Sequence, residues 1–278
     1  MNTSSRFSLL SSLFVFTFTF GATASAQTPT LVNGTLESRA ATQTVEREIA
    51  AVMSRASGPA WIGYAVSVNR RDGDSGCWAS DGLSGRTRVG PLKLEGADSI
   101  FVLYRIADRA VQRIRIASPE CPLDIAGLTL YWLTGVRAPD SVDWLETLAT
   151  GDLSRSLANS ATMAIALHED RRATDRLVTM ARDAKSSAVR GNALFWVAQR
   201  AGDRAVGTIT QALEDPETEI RKKAVFALSQ LPKDEGVPKL IELARSHRDP
   251  VVRKQAMFWL GQSRDPRALA FFAQVLTQ

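Results

Sequence analysis

The stretch VRGNALFW at residues 189–196 recurs as IRKKAVFA at 220–227 and as VRKQAMFW at 252–259. A more distant copy, LANSATMA, stands at 157–164, so that successive copies begin 32, 31 and 32 residues apart. A fixed period of this length is typical of solenoids, in which each repeat is one unit of secondary structure that packs on its neighbours. The second half of the chain is therefore predicted to be a repeat array.

Apolar residues inside and between the copies have the spacing of amphipathic helices. Val189, Ala193 and Val197 are four residues apart, as one face of a helix requires. Asp215-Pro216 and Asp249-Pro250 indicate helix starts, because Asp caps a first turn and Pro is tolerated within it. The predicted helices run over 142–150 and 154–168, 171–183 and 187–200, 203–214 and 217–231, 234–246 and 250–262, and a final 266–277.

The repeated pattern of Asp-Pro, a small apolar residue, Arg, and then Ala and Phe in one helix resembles the HEAT-repeat family. The similarity is to the short bacterial form that is also found in phycobilisome lyase-type proteins, and it covers residues 141–278. It implies an armadillo-type α-solenoid of about four antiparallel helix pairs plus a terminal helix. It also implies that a recurring arginine pairs with an acidic residue of an adjoining repeat. The arginines are Arg190, Arg221 and Arg253, and the candidate acids are Asp183, Asp215 and Asp249.

The preceding residues 27–140 are predicted to form a small α+β domain, so that the whole chain is mainly α. Asp108-Arg109-Ala110 can join two neighbouring strands as a hairpin. The first repeat has Ala158 in place of the arginine and Met163 in place of the phenylalanine, which indicates an interface with this domain. The predicted elements are a helix at 44–55 and strands at 61–68, 100–107, 111–117 and 128–133.

Residues 1–26 have the pattern of a secretory signal peptide. Arg6 is the only charge, an uncharged stretch rich in Phe follows, and Ala24-Ser25-Ala26 supplies the small residues of a cleavage site. The stretch is shorter than the roughly 20 residues of a membrane span, although an uncleaved anchor is the alternative. We expect a periplasmic or secreted protein without stable membrane insertion after signal cleavage.

The two cysteines are then expected to meet an oxidising compartment. Cys77 and Cys121 both precede the repeats, and an even count in an exported chain favours a disulfide bond between them. Two separate buried thiols are the alternative.

Composition excludes several function classes. The 278 residues carry 34 Lys and Arg against 29 Asp and Glu, a net charge of +5 in which both signs are abundant, so a nucleic-acid partner is not expected. The two histidines, His168 and His247, have no metal-ligand partner in sequence and are predicted to be surface residues. No nucleophile with a base and no phosphate loop is found, so we expect no catalytic residue, no metal, no cofactor and no enzyme activity.

The second helix of each pair is expected to line the inner surface of the array. At 100° per residue, three repeated positions on this helix point away from its apolar arc. The phenylalanines suggest a surface that a partner covers, and the glutamines suit the backbone of a bound peptide, although phenylalanines packed between repeats are the alternative. The nearby Lys222, Lys223 and Lys254 suit an acidic partner or a solvated face. The predicted partner-binding residues are Phe195, Phe226 and Phe258, Gln199, Gln230 and Gln262, and Asn192, Lys223 and Gln255.

Three functions follow from these patterns. The first is an exported scaffold that binds a protein or peptide on the concave face of the array. The second is a lyase-type enzyme or small-ligand carrier, with a pocket at the domain junction near Trp61, Trp78 and Trp132. The third is a structural role, in which the array folds over its own N-terminal domain.

Overall fold

The computed structural model describes residues 28–68, 80, 99–200 and 203–277, in which one five-stranded sheet with a single helix precedes a series of nine helices. The strands are β1 Leu31–Ala40, β2 Ala60–Ser67, β3 Ser99–Ala107, β4 Ala110–Ala117 and β5 Leu123–Thr134, with helix α1 Val45–Arg55 between β1 and β2. The later helices are α2 Ala138–Thr150, α3 Arg155–Leu167, α4 Arg171–Asp183, α5 Ser187–Arg200, α6 Asp203–Ala212, α7 Thr218–Ser229, α8 Lys233–Ser246, α9 Pro250–Gln262 and α10 Pro266–Leu276.

The sheet has the strand order β1-β5-β2-β3-β4. β5 is parallel to both β1 and β2, whereas β2, β3 and β4 are antiparallel. Asp108 and Arg109 join β3 to β4 with φ of 52° and 57°, as a tight two-residue hairpin turn requires. The predicted hairpin is therefore present, while β1, an almost fully exposed edge strand, was not predicted.

The two faces of the sheet bury different sets of side chains. Alternation along β2 sends Ile62 and Tyr64 into the core that continues into the helices, and sends Trp61 to the opposite face. On that opposite face Trp132 and Phe101 meet edge to face, with ring centroids 4.8 Å apart.

The first helix pair packs on the sheet, as the departures of the first repeat predicted. α2 contacts α1, and α3 contacts β4. At the end of β2, Val68 forms a β-bridge with His168, and the Glu169 N–H donates to the Ser67 carbonyl at 3.1 Å. The sheet and the array are therefore joined by continuous packing and by hydrogen bonds.

The later helices form two layers, as the predicted α-solenoid after a small α+β domain requires. The second helices α3, α5, α7 and α9 pack on one another more closely than the first helices α2, α4 and α6 do. The layer of second helices is therefore the shorter side of the stack. We call the surface of this layer that faces away from the first helices the inner face. Asp170, Asp249 and Asp265 cap three helices, each accepting the N–H two residues ahead.

Two of the three recurring arginines link successive repeats, whereas Arg253 bonds, among the described residues, only to carbonyls of its own repeat. Arg190 donates to Asp215 at 3.1 Å and to Glu217 at 2.8 Å, and Arg221 donates to Asp249 at 2.7 Å. A hydrogen bond from the Val251 N–H, with further help from Arg221, holds the pKa of Asp249 below its usual range. Of the three candidate acids, Asp183 is instead paired with Arg182.

Candidate partner-binding surface

Aromatic side chains form a continuous row across three repeats on the inner face. Phe195 and Phe226 stack in parallel planes, with centroids 6.0 Å apart, and the Phe226 ring lies 4.8 Å from that of Trp259. Trp196 and Phe258 extend the row at its two ends, 5.0 Å from Phe195 and 5.1 Å from Trp259. We call these five residues the aromatic row.

Exposure differs along the aromatic row. Phe195 and Phe226 are half-buried because they stack across the gap between repeats, and only Phe258 is largely exposed, at 54%. The three phenylalanines thus line up as the repeat spacing predicted, but two of them combine packing between repeats with a surface position. Whether they bind a partner stays a prediction.

The three predicted glutamines lie at the C-terminal ends of α5, α7 and α9, where they line two neighbouring clefts. Gln199 and Gln230 line a cleft of about 560 Å³ that also includes Pro232, which we call the wide cleft. Gln230 and Gln262 line a cleft of about 170 Å³ against Trp259, which we call the narrow cleft. Gln230 belongs to both, so the glutamines follow one continuous edge of the inner face.

The third predicted set, Asn192, Lys223 and Gln255, occupies three different environments. Asn192 donates to Asn159 of the preceding second helix at 3.3 Å. Lys223 is exposed and lies across Gly191 of α5, where a Cβ would collide with the lysine Cδ. Glycine at this position therefore lets a lysine of one repeat rest on the backbone of the previous one. Gln255 is half-buried.

A buried polar network lies at the junction of the sheet and the array. The Tyr64 hydroxyl lies 2.6 Å from that of Tyr104 and 2.7 Å from Ser141 Oγ, and His168 Nε2 lies 2.8 Å from the same Ser141 Oγ. His168 Nδ1 lies 2.7 Å from the Ala164 carbonyl. Burial raises the pKa of both tyrosines and lowers the pKa of His168 to about 4, so all four groups are neutral at pH 7.

The network corrects the prediction that His168 is a surface residue, because this histidine is completely buried. Ser141 and His168 have the hydrogen bond of a nucleophile and its base, but neither reaches the surface. Sequence reasoning missed the network because its members are far apart in sequence. His247, the other histidine, is half-buried and its Nδ1 accepts from the Asp249 N–H at 3.1 Å.

The residues named for a junction pocket do not form one in the described part of the chain. Trp61 and Trp132 are buried in the core on the sheet face away from the helices and line none of the clefts named above. Trp78 lies outside the described residues.

Some predictions concern residues that the structure does not describe. The signal peptide at 1–26 and Cys77 are among them, whereas Cys121 is buried with its Sγ 3.4 Å from Ser118 Oγ. Within the described ranges, no three His, Cys, Asp or Glu side chains come together as metal ligands. None of the helices described above combines the length and apolarity that crossing a bilayer requires.

Comparisons with solved structures find several similar helical proteins. E. coli YibA aligns with 50% of this chain and 54% of its own, at 22% identity and a TM-score of 0.36. The chain thus spans about half the length of YibA. The CpcE–CpcF complex of phycocyanin lyase from Nostoc sp. PCC7120 aligns over 44% of this chain and 87% of its own, at 21% identity and a TM-score of 0.33.

Human deoxyhypusine hydroxylase aligns over 52% of this chain and 58% of its own, at 21% identity and a TM-score of 0.31. A comparison with curated protein sequences found no match. The family model for HEAT repeats matches residues 174–256 and again 206–278, which together include α5 to α10. With the helix pairs, the two layers and the inter-repeat arginines in place, this match shows that residues 174–278 consist of HEAT repeats.

Proposed function

We propose that the array binds an extended segment of a protein or peptide on its inner face. The observation that carries this proposal is the aromatic row, which runs without a break across α5, α7 and α9 and ends in an exposed phenylalanine. An exposed Phe forgoes about 1.5–3 kcal/mol of burial, which a bound partner restores. A row of this length suits a chain-like ligand that crosses successive repeats.

The glutamine edge supports a peptide more than a purely apolar ligand. Each glutamine amide offers two donors and an acceptor, and the two clefts beside Gln230 give neighbouring side chains room to enter. The main contacts of the described sheet domain with the array involve α2 and α3, which leaves the aromatic row accessible to a partner.

A peptide array tests this proposal. The wild-type chain is incubated with overlapping or randomised decapeptides, and binding is compared with that of Phe258→Ala. We expect a reproducible set of bound peptides whose signals fall at least fivefold with Phe258→Ala. Leu269→Ala is the control, because Leu269 is also a large exposed apolar residue, at 67% exposure, but lies on α10. Equal losses from both variants, or no bound peptide, would contradict the proposal.

The proposal also includes export, with cleavage before Gln27 and a disulfide bond between Cys77 and Cys121. Cys121 is the only cysteine among the described residues, and it is not a free thiol. Mass spectrometry of the protein recovered outside the cytoplasm, with and without reductant, tests both points. Two free thiols would contradict the disulfide bond, and an intact N-terminus would contradict cleavage before Gln27.

The scaffold is proposed to be non-enzymatic. The alternative, a lyase-type enzyme or small-ligand carrier, needs an accessible pocket where the two domains meet. Tyr64, Tyr104, Ser141 and His168 fill that junction with buried, mutually bonded groups, so nothing there favours the alternative.

A further inference from the structure

The narrow cleft has the form of a pocket for one side chain. Leu228 and Leu231 from the end of α7 and Val237 and Leu240 of α8 form its apolar part, and polar residues that include Gln230 and Gln262 complete the lining. Trp259 of α9 adds an aromatic surface that is continuous with the aromatic row. The cleft therefore opens beside the surface on which the proposed function places a peptide.

A polar atom at this cleft has no partner. The indole Nε1 of Trp259 is buried from solvent, and no acceptor among the described residues bonds to it. A buried donor without an acceptor is costly, so a bound group that displaces the side chains covering Nε1 and offers it an oxygen gains a hydrogen bond. Trp196 occupies the same repeat position in α5, but its Nε1 is not among the buried, unpaired atoms. Trp144 Nε1 is also unpaired, but that residue does not line the cleft.

Lysines stand at the cleft and on the two inner-face helices that contribute to it. Lys233 lines it, and Lys223 and Lys254 lie earlier on α7 and α9. All three lysines are exposed, and none of them forms an ion pair with a carboxylate of the described residues. Among the described residues that line the two clefts, Glu235 is the only carboxylate, and it belongs to the wide cleft.

The positions of these lysines set a spacing for the partner. Lys223 precedes Gln230 by seven residues on α7, which is about 10 Å at 1.5 Å per residue. An extended peptide covers that distance in about three residues at 3.3 Å each. A peptide that runs along α7 from the cleft for three residues would therefore bring a carboxylate to this lysine, which lies against α5 of the preceding repeat.

We propose that the inner face recognises an acidic peptide segment through the narrow cleft. One apolar side chain of the segment enters the cleft, and a backbone carbonyl next to it accepts from Trp259 Nε1. A carboxylate about three residues away pairs with Lys223 or Lys254, and a second one near the anchor pairs with Lys233. This inference rests on the proposed function and names its partner.

Three fluorescein-labelled nonapeptides of equal length test the charge preference by anisotropy with the full chain. The first carries a central Leu with Glu next to it and three positions away, the second has Lys in place of each Glu, and the third has Gln. We expect the acidic peptide to bind at least tenfold more tightly than the lysine peptide, with an affinity that falls as NaCl is raised. Lys223→Glu should weaken it at least fivefold, whereas Lys185→Glu, an exposed lysine in the loop before α5, should not.

The hydrogen bond is tested by Trp259→Phe, which keeps an aromatic ring beside Phe226 and removes the donor. We expect roughly three- to tenfold weaker binding, against no change for Trp196→Phe. In a ¹H–¹⁵N spectrum the indole signal that Trp259→Phe removes should move downfield when the acidic peptide is added. Thermal melts of both variants confirm that they are folded.

The outcomes separate the two proposals. Equal affinity for acidic and lysine peptides, or no effect of Trp259→Phe, overturns the inference, while the proposed function stands if Phe258→Ala still weakens peptide binding. If no peptide of any charge binds and the array experiment also fails, both proposals fall.

Discussion

Ser141 forms hydrogen bonds with both halves of the molecule, since its hydroxyl lies between Tyr64 of the sheet and His168 at the end of α3. His168 Nδ1 faces a carbonyl oxygen, which can only accept, so Nδ1 carries the proton and Nε2 accepts from Ser141. Ser141 has then used its only proton, so Tyr64 donates to it and Tyr104 donates to Tyr64. Every buried polar group of this network is satisfied in one arrangement.

We expect the free energy of unfolding to decrease as pH falls from about 6.5 to 4. Burial lowers the pKa of His168 from 6.5 to about 4 in the folded chain, so between these values the unfolded state binds a proton that the folded state refuses. The stabilisation is complete above pH 6.5, and its loss reaches about 3 kcal/mol near pH 4. Urea unfolding at several pH values measures this slope.

His168→Asn should reduce that slope. A slope that is unchanged in His168→Asn would mean that other groups cause the pH dependence. The prediction of a surface histidine failed because burial here depends on Tyr64 and Ser141, 104 and 27 residues away, and no local pattern at His168-Glu169 records that.

At the scale of elements, the inter-repeat arginines determine how one helix pair meets the next. Arg190 is nearly buried, and its guanidinium binds Asp215 and Glu217 of the following repeat and the carbonyls of Ala184 and Lys185 of its own. A planar five-donor group satisfies these acceptors together, which an ammonium group cannot do.

Arg190→Lys should lower the free energy of unfolding by about 2 kcal/mol, because the carboxylates lose their fork-shaped donor. Arg253→Lys is the matched control. Arg253 makes the equivalent bonds to the carbonyls of His247 and Arg248 but, within the described residues, no bond to a carboxylate. Denaturant unfolding of both variants measures the difference, and equal losses would contradict a role for the inter-repeat pairs.

The β3–β4 turn gives a second prediction at this scale. Arg109 has a φ of 57°, a left-handed conformation that costs a side-chain-bearing residue about 1–2 kcal/mol. Arg109→Gly should therefore stabilise the chain by about 0.5–1 kcal/mol after the greater entropy of glycine in the unfolded state is counted. Arg113→Gly, within β4, should have the opposite sign. A lower melting temperature for Arg109→Gly would show that strain is absent.

Helices were easier to predict than strands because the residues that determine a helix lie within it. The bounds of α4, α5 and α9 agree with the sequence pattern because caps and apolar spacing lie within each helix. β1 lacks such a signal: most of its side chains are exposed, and its partner strand β5 follows it by about ninety residues. The same reason applies to the candidate site. A helical wheel predicts the aromatic row from single helices, whereas it cannot predict the clefts, because they form between helices of different repeats.

The whole molecule is a one-dimensional stack attached at one end to a sheet. Each repeat contacts chiefly its neighbours, so stability is expected to vary along the stack rather than to be shared equally. α10 packs mainly on α8 and α9, and its Leu269 and Leu276 are exposed.

Hydrogen exchange should show this gradient. We expect amides of α10 to open at the lowest free energy, and those of β2, β3, α2 and α3 at the highest. Tyr64→Phe leaves a donor on Tyr104 and an acceptor on Ser141 unpaired. The substitution should therefore lower the free energy of opening by about 1–3 kcal/mol in β2, β3, α2 and α3 together. We expect little change in α10. Separate losses in sheet and helices would indicate that the two halves open independently.

The one-way order of donors at the junction has a further consequence. Four protons point the same way, from Tyr104 through Tyr64, Ser141 and His168 to the Ala164 carbonyl, so their bond dipoles add instead of cancelling. Reversing any one hydroxyl alone would set two hydrogens against each other, and inverting all of them would leave the Ala164 carbonyl without a donor, so the order is fixed. The interior of this protein thus carries a small fixed electrical polarity, directed from the sheet into α3.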